Sequence, residues 1–236
     1  MKQLIVILSA LVLFASCRYK HVQGNGVITT QTRKASKANR IKMAGNFDVE
    51  ITQGQAVNVQ IQGDENLLPY FMVEDRGGYL VIKASDYFSY SSTDGIKVFI
   101  TTPNVEEVIL AGSGNILGKS KFTGADKLVL KIAGTGDIKM DVNTPSVLSE
   151  IAGSGSITLT GETKNETIKI AGVGDYRAAD LKAENAKVQI AGSGDVKVFA
   201  SAQLDINIAG AGSVYYKGSP NVKQHIAGSG DVKKVE

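Results

Sequence analysis

Carboxylate and small polar side chains recur at one position of a phrase that this sequence repeats. The phrase reads Ala-Gly-x-Gly, and the next residue is in turn Asn115, Asp137, Ser156, Asp175, Asp195, Ser213 and Asp231. If the repeats stack, neighbouring carboxylates lie about 5 Å apart and repel each other. Bound Ca²⁺, which takes oxygen ligands, would relieve that repulsion.

The spacing argues against calcium. Repeats of about nine residues bind it in β-rolls, whereas the period here is about twice as long and neutral Asn and Ser interrupt the column. Basic residues follow two positions later, on the same face of the predicted strand: Lys139, Arg177, Lys197 and Lys233. We therefore predict cross-strand charge pairs along this column, with no metal and no cofactor. A calcium-stabilised repeat module is an alternative.

A second set of acids could serve a glycan-cleaving enzyme, which needs two carboxylates in a cleft. The set comprises Glu162, Glu166, Asp180 and Glu184, which lie in links among Lys164, Lys182 and Lys187. Such a mixture is typical of a solvated surface, and neither histidine completes a Ser/His/Asp arrangement. We predict no catalytic residues. A polysaccharide-acting envelope enzyme is the alternative function.

Three aromatic side chains, Tyr87, Phe88 and Tyr90, stand among Ser and Asp in a polar loop. Exposed rings suit stacking on sugars or contact with a protein partner, so these three are candidate ligand contacts. The same rings would also serve to fold back over the end of an apolar core.

The single cysteine, Cys17, ends a segment typical of a bacterial lipoprotein signal. Lys2 supplies a positive start, and residues 4–14 are an apolar run of 11 residues, too short to span a bilayer. Ala15 and Ser16 then precede Cys17, as in signals where the cysteine is acylated after cleavage. We predict that residues 1–17 are a signal peptide with its anchor cysteine; an ordinary secretory peptide is the alternative. A lone cysteine also excludes an internal disulfide.

Charge is distributed unevenly. Residues 17–47 hold seven basic and no acidic side chains, whereas residues 48–236 hold 18 basic and 23 acidic ones. Residues 18–40 are predicted to form a flexible basic tether, either against anionic headgroups or simply as a soluble linker. The acidic body has no aromatic-basic platform, so we expect no nucleic-acid partner.

The repeat itself sets the architecture that positions these residues. Its copies begin at Ala111, Ala133, Ala152, Ala171, Ala191, Ala209 and Ala227, with spacings of 22, 19, 19, 20, 18 and 18 residues. A period near twenty is typical of a solenoid. From Leu128 to Met140 every second residue is apolar or glycine, which indicates strands with one inward face on either side of a corner.

Glycine suits such corners because it accepts positive φ and close backbone approach. The predicted turn glycines are Gly112, Gly114, Gly134, Gly136, Gly153, Gly155, Gly172, Gly174, Gly192, Gly194, Gly210, Gly212, Gly228 and Gly230. We predict an all-β fold, a right-handed single-stranded parallel β-helix with an irregular N-terminal cap. At ~4.8 Å per rung the seven copies make a rod of roughly 30 Å. A sandwich of hairpins is the competing fold.

The part before the repeats is strand-like but lacks the glycine corners. Residues 41–105 are predicted to be irregular first coils that cap the stack, including a hairpin over residues 47–61 with its turn at Gly54. Residues 106–236 are predicted to be the repeated coils, and residues 41–236 form one structural domain. A solenoid needs atypical ends because a bare rung exposes apolar surface and unpaired backbone.

Several phrases in fixed order resemble the head GIN domain family of autotransporter adhesins, which is abundant in Bacteroidetes and often carried on lipoproteins. They are Asn46-Phe47-Asp48-Val49-Glu50-Ile51, Gly63-Asp64-Glu65-Asn66-Leu67 and Leu80-Val81-Ile82-Lys83, followed by the serial glycine corners. The resemblance covers roughly residues 40–233. It implies a right-handed parallel β-helix and supplies no catalytic residues.

These features together predict a lipid-anchored, non-enzymatic envelope protein that acts as an adhesin-like binding or scaffolding module. The expected partners are the membrane, through the anchor, and a glycan or envelope-protein ligand. The segment after Cys17 lacks the acidic cluster that resembles a surface-export tag in some Bacteroidetes. We therefore expect the outer membrane, with its periplasmic side favoured.

Overall fold

The computed structural model describes residues 20–236, so Cys17 and the predicted signal peptide lie outside the described residues. Within this range the chain is almost entirely strand, with one short 3₁₀ turn at Leu68–Tyr70. No helix in the described range is long and apolar enough to cross a bilayer.

The repeated region folds into parallel rungs. Its strands are β10 (Glu107–Gly112), β11 (Asn115–Thr123), β12 (Lys127–Gly134), β13 (Asp137–Gly153), β14 (Ser156–Gly172), β15 (Asp175–Gly192), β16 (Val196–Gly210), β17 (Ser213–Lys217), β18 (Asn221–Gly228) and β19 (Asp231–Lys234). Successive rungs pair in parallel with equivalent residues opposite each other, as Ala133 lies opposite Ala152 and Gly134 opposite Gly153. The predicted parallel β-helix is confirmed, and the hairpin sandwich is wrong.

Alternate residues of each rung point into one continuous apolar core. Ile132, Ile151, Ile170, Ile190 and Ile208 form one inward column through the paired strands, and each is at most 3% exposed. Branched side chains suit this position because they pack well on a pleated surface. Since identical residues stack, each rung buries the apolar face of its neighbour.

The two glycines of each corner are needed for different reasons. The first glycine has φ between +130° and +146° in all seven copies, a conformation that other residues adopt only with strain. The second has no such φ; instead, a Cβ there would overlap backbone of the previous rung, as at Gly136 against the carbonyl oxygen of Gly114. An eighth corner, missed in the sequence, lies at Ala44-Gly45, where Gly45 pairs with Gly112.

The N-terminal part contains β1 (Lys20–Gln23), β2 (Ile28–Arg33), β3 (Arg40–Gly45), β4 (Asp48–Gln53), β5 (Asn58–Asp64), β6 (Phe71–Arg76), β7 (Tyr79–Ala84), β8 (Phe88–Ser91) and β9 (Lys97–Thr102). Strands β3 and β4 form a regular rung below β10 and β11. The predicted hairpin over residues 47–61 is wrong, because β9 lies between β4 and β5 and pairs with both. The cap itself is built from antiparallel strands, β2 on β5 and β6 on β7.

The predicted flexible tether over residues 18–40 is also wrong for its described part. Residues 20–23 form β1, which pairs with β8, and residues 28–33 form β2, which pairs with β5. Two properties explain the difference. The Ile28-Thr29-Thr30 run is β-branched and favours a strand, and β2 covers an edge of β5 that would otherwise leave backbone groups unpaired.

Candidate functional site

One outer face of the rod carries a column of alanines. It contains the alanine before each corner glycine, paired rung to rung: Ala44, Ala111, Ala133, Ala152, Ala171, Ala191, Ala209 and Ala227. Seven steps of ~4.8 Å give this column a length of roughly 34 Å. Because a methyl group is the longest side chain here, the column forms the floor of a shallow groove. We call it the alanine groove; its part from Ala133 to Ala227 has a volume of about 710 Å³.

One wall of the alanine groove carries Lys131, Glu150 and Lys169. They belong to a charge ladder that continues beyond the groove to Glu107 and Arg40. Lys131 Nζ lies 3.0 Å from Glu107 Oε1 and 3.9 Å from Glu150 Oε2, and Lys169 Nζ lies 3.0 Å from Glu150 Oε1. Burial by itself would raise the pKa of Glu107, but donors from Tyr79, Arg40 and Lys131 outweigh it and hold the pKa below its usual value. The wall continues with the uncharged polar positions Gln189 and Asn207 and then His225.

On the other side of the alanine column, two residues further along each rung, is the row of corner residues between the paired glycines. Most of them carry hydroxyl groups: Ser113, Thr135, Ser154, Ser193 and Ser229. Their backbone N–H groups donate to the first glycine of the previous rung, as Ser154 N does to Gly134 O at 3.0 Å. The backbone is therefore satisfied within the fold, and the hydroxyls face outward for other contacts.

This arrangement is suited to binding rather than to acid–base chemistry. The floor is apolar and one row of polar side chains runs along it, a mixture typical of ligand sites, and the volume lies within the usual range for such sites. The carboxylates of the charge ladder, Glu107 and Glu150, each contact at least one cation. The lowered pKa of Glu107 makes this acid poorly suited to donate a proton.

The column after the corners has a structural role that the sequence reading did not foresee. A carboxylate of one rung accepts the backbone N–H of the next: Asp137 Oδ1 from Ser156 N at 3.0 Å, and Asp195 Oδ1 from Ser213 N at 3.2 Å. Arg177 pairs with Asp175 and Lys233 with Asp231, but each of these pairs lies within one strand and not across strands as predicted. Within residues 20–236 no three His, Cys, Asp or Glu side chains are grouped so that they could hold a metal ion.

Glu166 was predicted to lie on a solvated link, and this is wrong because its side chain lies inside the core. It is 2% exposed, and its Oε1 accepts a hydrogen bond of 2.7 Å from the hydroxyl of Tyr176. Its Oε2 is buried and has no partner within the described residues. Burial raises the pKa of Glu166 to about 8, a rise that the Tyr176 hydrogen bond limits. Apolar rungs above and below close this position off, so the acid cannot meet a polymer substrate.

Comparison with known proteins identifies the family. The family model described as "Putative auto-transporter adhesin, head GIN domain" matches residues 38–220. The chain belongs to this family. Similar solved structures include a "putative lipid binding protein" from Parabacteroides distasonis ATCC 8503, with 27% identity, TM-score 0.77 and coverage of 92% of this chain and 100% of that one.

Two further solved structures support the fold of this head GIN domain protein. A putative adhesin from Bacteroides fragilis NCTC 9343 has 24% identity and TM-score 0.84, over 91% of this chain and 100% of its own. A second, from Parabacteroides distasonis ATCC 8503, has 26% identity and TM-score 0.73, over 92% and 100%. A search of curated proteins finds no match.

The predicted aromatic contacts of this head GIN domain protein lie at its cap. The rings of Phe88 and Tyr90 are half-buried; Phe88 stacks on Tyr70 with centroids 4.3 Å apart, and Tyr90 packs edge-on against Phe71 at 5.1 Å. Burial raises the pKa of Tyr90 to about 12. These two rings cover the end of the core, whereas Tyr87 is 70% exposed and has φ of +58°. A ligand role for the three remains a prediction, and Tyr87 is the most accessible of them.

Hydrogen bonds to the carboxylate of Asp64 connect separate segments of this cap. This carboxylate accepts four hydrogen bonds of 2.7–2.9 Å, from Gly26 N, Ser92 Oγ, Thr93 N and Thr93 Oγ1. Burial would raise the pKa of Asp64, but these donors outweigh it and hold the pKa far below its usual value. One side chain therefore joins the β1–β2 link, the end of β5 and the segment after β8.

Proposed function

We propose that this head GIN domain protein is a lipid-anchored component of the cell envelope that binds or scaffolds without catalysis, in the manner of an adhesin. The observation that carries the proposal is the alanine groove, an apolar floor with a row of polar side chains running along it across the rungs. An extended polymer fits this shape better than a compact molecule, since the same alanine floor continues over successive rungs.

A glycan is the ligand class that matches the walls and the floor best. Sugar rings offer apolar faces for the alanine methyls, and their hydroxyls exchange hydrogen bonds with the serines and with the charge ladder. Because the rungs repeat every ~4.8 Å, adjacent units of an extended polymer meet the same alanine floor. Weak contacts repeated along one chain then add up to useful avidity.

Anchoring is proposed from the segment before the described residues. Lys2, the apolar run of residues 4–14 and Cys17 support a lipoprotein, and the outer membrane is the expected site, with the periplasmic side favoured. In metabolic labelling with a radioactive fatty acid, the wild-type chain should carry label and sediment with membranes. The Cys17→Ser chain should lose the label, and labelling that survives this change would refute the anchor.

Binding is tested with immobilised envelope polysaccharides and the body of the wild-type protein. Retention of a polysaccharide without change in its length supports the proposal. Progressive shortening of the polymer would instead support the alternative, an enzyme on a β-helix scaffold. Loss of thermal stability on chelation would support a calcium-stabilised module.

A second candidate is the binding of an acyl chain or lipid in the alanine groove. The apolar floor favours it, and the solved structure with 27% identity is described as a "putative lipid binding protein". Lipid vesicles and fatty-acid probes belong in the same screen. Saturable binding of a fatty-acid probe, with no retention of any polysaccharide, would select this candidate over the glycan.

A further inference from the structure

The described chain begins at the outer surface of the cap, three residues after Cys17. Lys20 N donates to Tyr87 O at 3.0 Å, and β1 continues alongside β8. Three residue steps span at most about 11 Å, whereas a tether reaching to residue 41 would have allowed about 80 Å. A lipid on Cys17 would therefore hold this end of the rod within about 11 Å of the lipid-bearing cysteine.

The surface at that end carries side chains that suit a lipid–water interface. We call it the cap face and define it as Lys20, Tyr70, Lys83, Asp86 and Tyr87. Its members are linked: Lys20 Nζ donates to the Tyr70 hydroxyl at 2.7 Å, Ser85 N donates to Tyr70 O, and Lys83 lies 3.7 Å from Asp86. Tyr87, at 70% exposure, stands at the tip of this surface.

The charge and the amphipathic side chains of the cap face both favour a membrane surface as its partner. Within the described residues Lys20 makes no ion pair, and its ammonium group lies 5.0 Å from the Tyr70 ring centroid. Arg18 adds a further positive charge in the sequence beside it. Cations near an anionic leaflet are attracted to it, and tyrosine, with an apolar ring and a polar tip, favours the interface.

We propose that the cap face rests on the headgroups of the bilayer that holds the Cys17 lipid, so that the rod stands away from the membrane with its last rungs distal. The proposal rests on the lipid anchor of the preceding section. It gives the alanine groove a direction, because the groove then runs outward from the membrane across successive rungs.

The pairing of strands sets the two ends of the rod far apart. Lys83 continues the alanine column below Ala44, and eight steps separate Lys83 from Ala227, or roughly 38 Å at ~4.8 Å each. Asp86 lies three residues after Lys83, and Ser229 lies two residues after Ala227 in the last corner. A probe at each position therefore reports on opposite ends.

The test uses the acylated full chain in vesicles of anionic and zwitterionic lipid. Cys17 is the only cysteine, and acylation blocks its thiol, so Asp86→Cys and Ser229→Cys each give one labelling site. A fluorophore at residue 86 should lose fluorescence to nitroxide headgroup lipids, and one at residue 229 should not. Adding Lys20→Gln and Tyr87→Ser to Asp86→Cys should reduce that loss without releasing the protein.

The other possible results of the quenching experiment each overturn a stated part of the proposal. Equal quenching at both positions means that the rod lies flat, and an unquenched label at residue 86 on membrane-bound protein means that the cap face is free or docked on a protein. Either overturns the cap-face proposal and leaves the anchor intact. Protein that stays in the supernatant after vesicle sedimentation overturns the anchor itself and the cap-face proposal with it.

Discussion

The buried carboxyl of Glu166 allows a quantitative prediction. Its pKa of about 8 compares with 4.5 for an unperturbed glutamate. Since one unit corresponds to about 1.4 kcal/mol, burial makes the ionised form roughly 5 kcal/mol less stable in the folded chain than in the unfolded chain. Relaxation of the surrounding rungs would lower this value, so it is an upper limit.

Because the pKa of Glu166 is raised in the folded chain, the stability of the protein should decrease as the pH rises. The contribution of Glu166 is fully favourable below about pH 4.5, where both states are protonated, and is lost as the pH rises toward about 8. Roughly 3 kcal/mol of the loss should fall between about pH 5.5 and about pH 8.5. Glu166→Gln cannot ionise and its side-chain oxygen still accepts from Tyr176, so its unfolding free energy should stay nearly flat over that range.

The assay is urea unfolding followed by circular dichroism at several pH values, with the midpoint compared between chains. Glu162→Gln is the matched control, because Glu162 lies on the same strand with its side chain exposed. The control should keep the wild-type dependence on pH. The assignment of a protonated core carboxyl would be refuted if the urea midpoint of the wild type did not decrease as the pH is raised from about 5.5 to about 8.5. An equal decrease in Glu166→Gln would refute it as well.

Two further substitutions test the corners and the cap. Gly192→Ala should destabilise the protein by roughly 3 kcal/mol or more, because φ is +141° and a Cβ would overlap the Gly172 carbonyl oxygen. The control Gly124→Ala, at a position with φ of +88° and open space around it, should cost only about 1 kcal/mol. Equal thermal unfolding midpoints for the two variants would contradict this. Asp64→Asn should destabilise the cap by about 2 kcal/mol at neutral pH, because an amide nitrogen cannot accept from Ser92 and Thr93. Because the pKa of Asp64 is lowered, the stabilisation it gives is present above about pH 3.8 and declines in stronger acid. Amide hydrogen exchange of β2 and β8 should therefore be faster in the variant than in the wild type at neutral pH, with a smaller difference in acid. A difference that stays the same in acid would contradict this.

The repeated body of this fold could be predicted from the sequence because its signals are local and repeated. Glycine pairs at a near-constant spacing leave few architectures, and alternation around Ile132 fixes which face is buried. The corner at Gly45 was missed because Phe47 stands where the repeats have a second glycine. Asp48 was the available signal, since its Oδ1 accepts from Asn115 N at 3.1 Å as the later aspartates do from the next rung.

The cap and the core acid could not be predicted in the same way. The pairing of β2 with β5, and of β9 with both β4 and β5, joins segments far apart in sequence, and no periodicity reports such contacts. Glu166 occurs among lysines and threonines, which disguises its inward position. Its depth is set by the register with Val147 and Ala186 on neighbouring rungs, information that only the stacked strands supply.

The measurement that most directly tests the proposed function compares two alanine-to-arginine variants in binding to the retained envelope polymer. Ala171→Arg places a long cation on the floor of the alanine groove, and Ala202→Arg places the same side chain on an exposed position outside it. Ala171→Arg should abolish retention while its unfolding midpoint stays at the wild-type value, and Ala202→Arg should bind as the wild type does. Undiminished binding by Ala171→Arg would contradict the account.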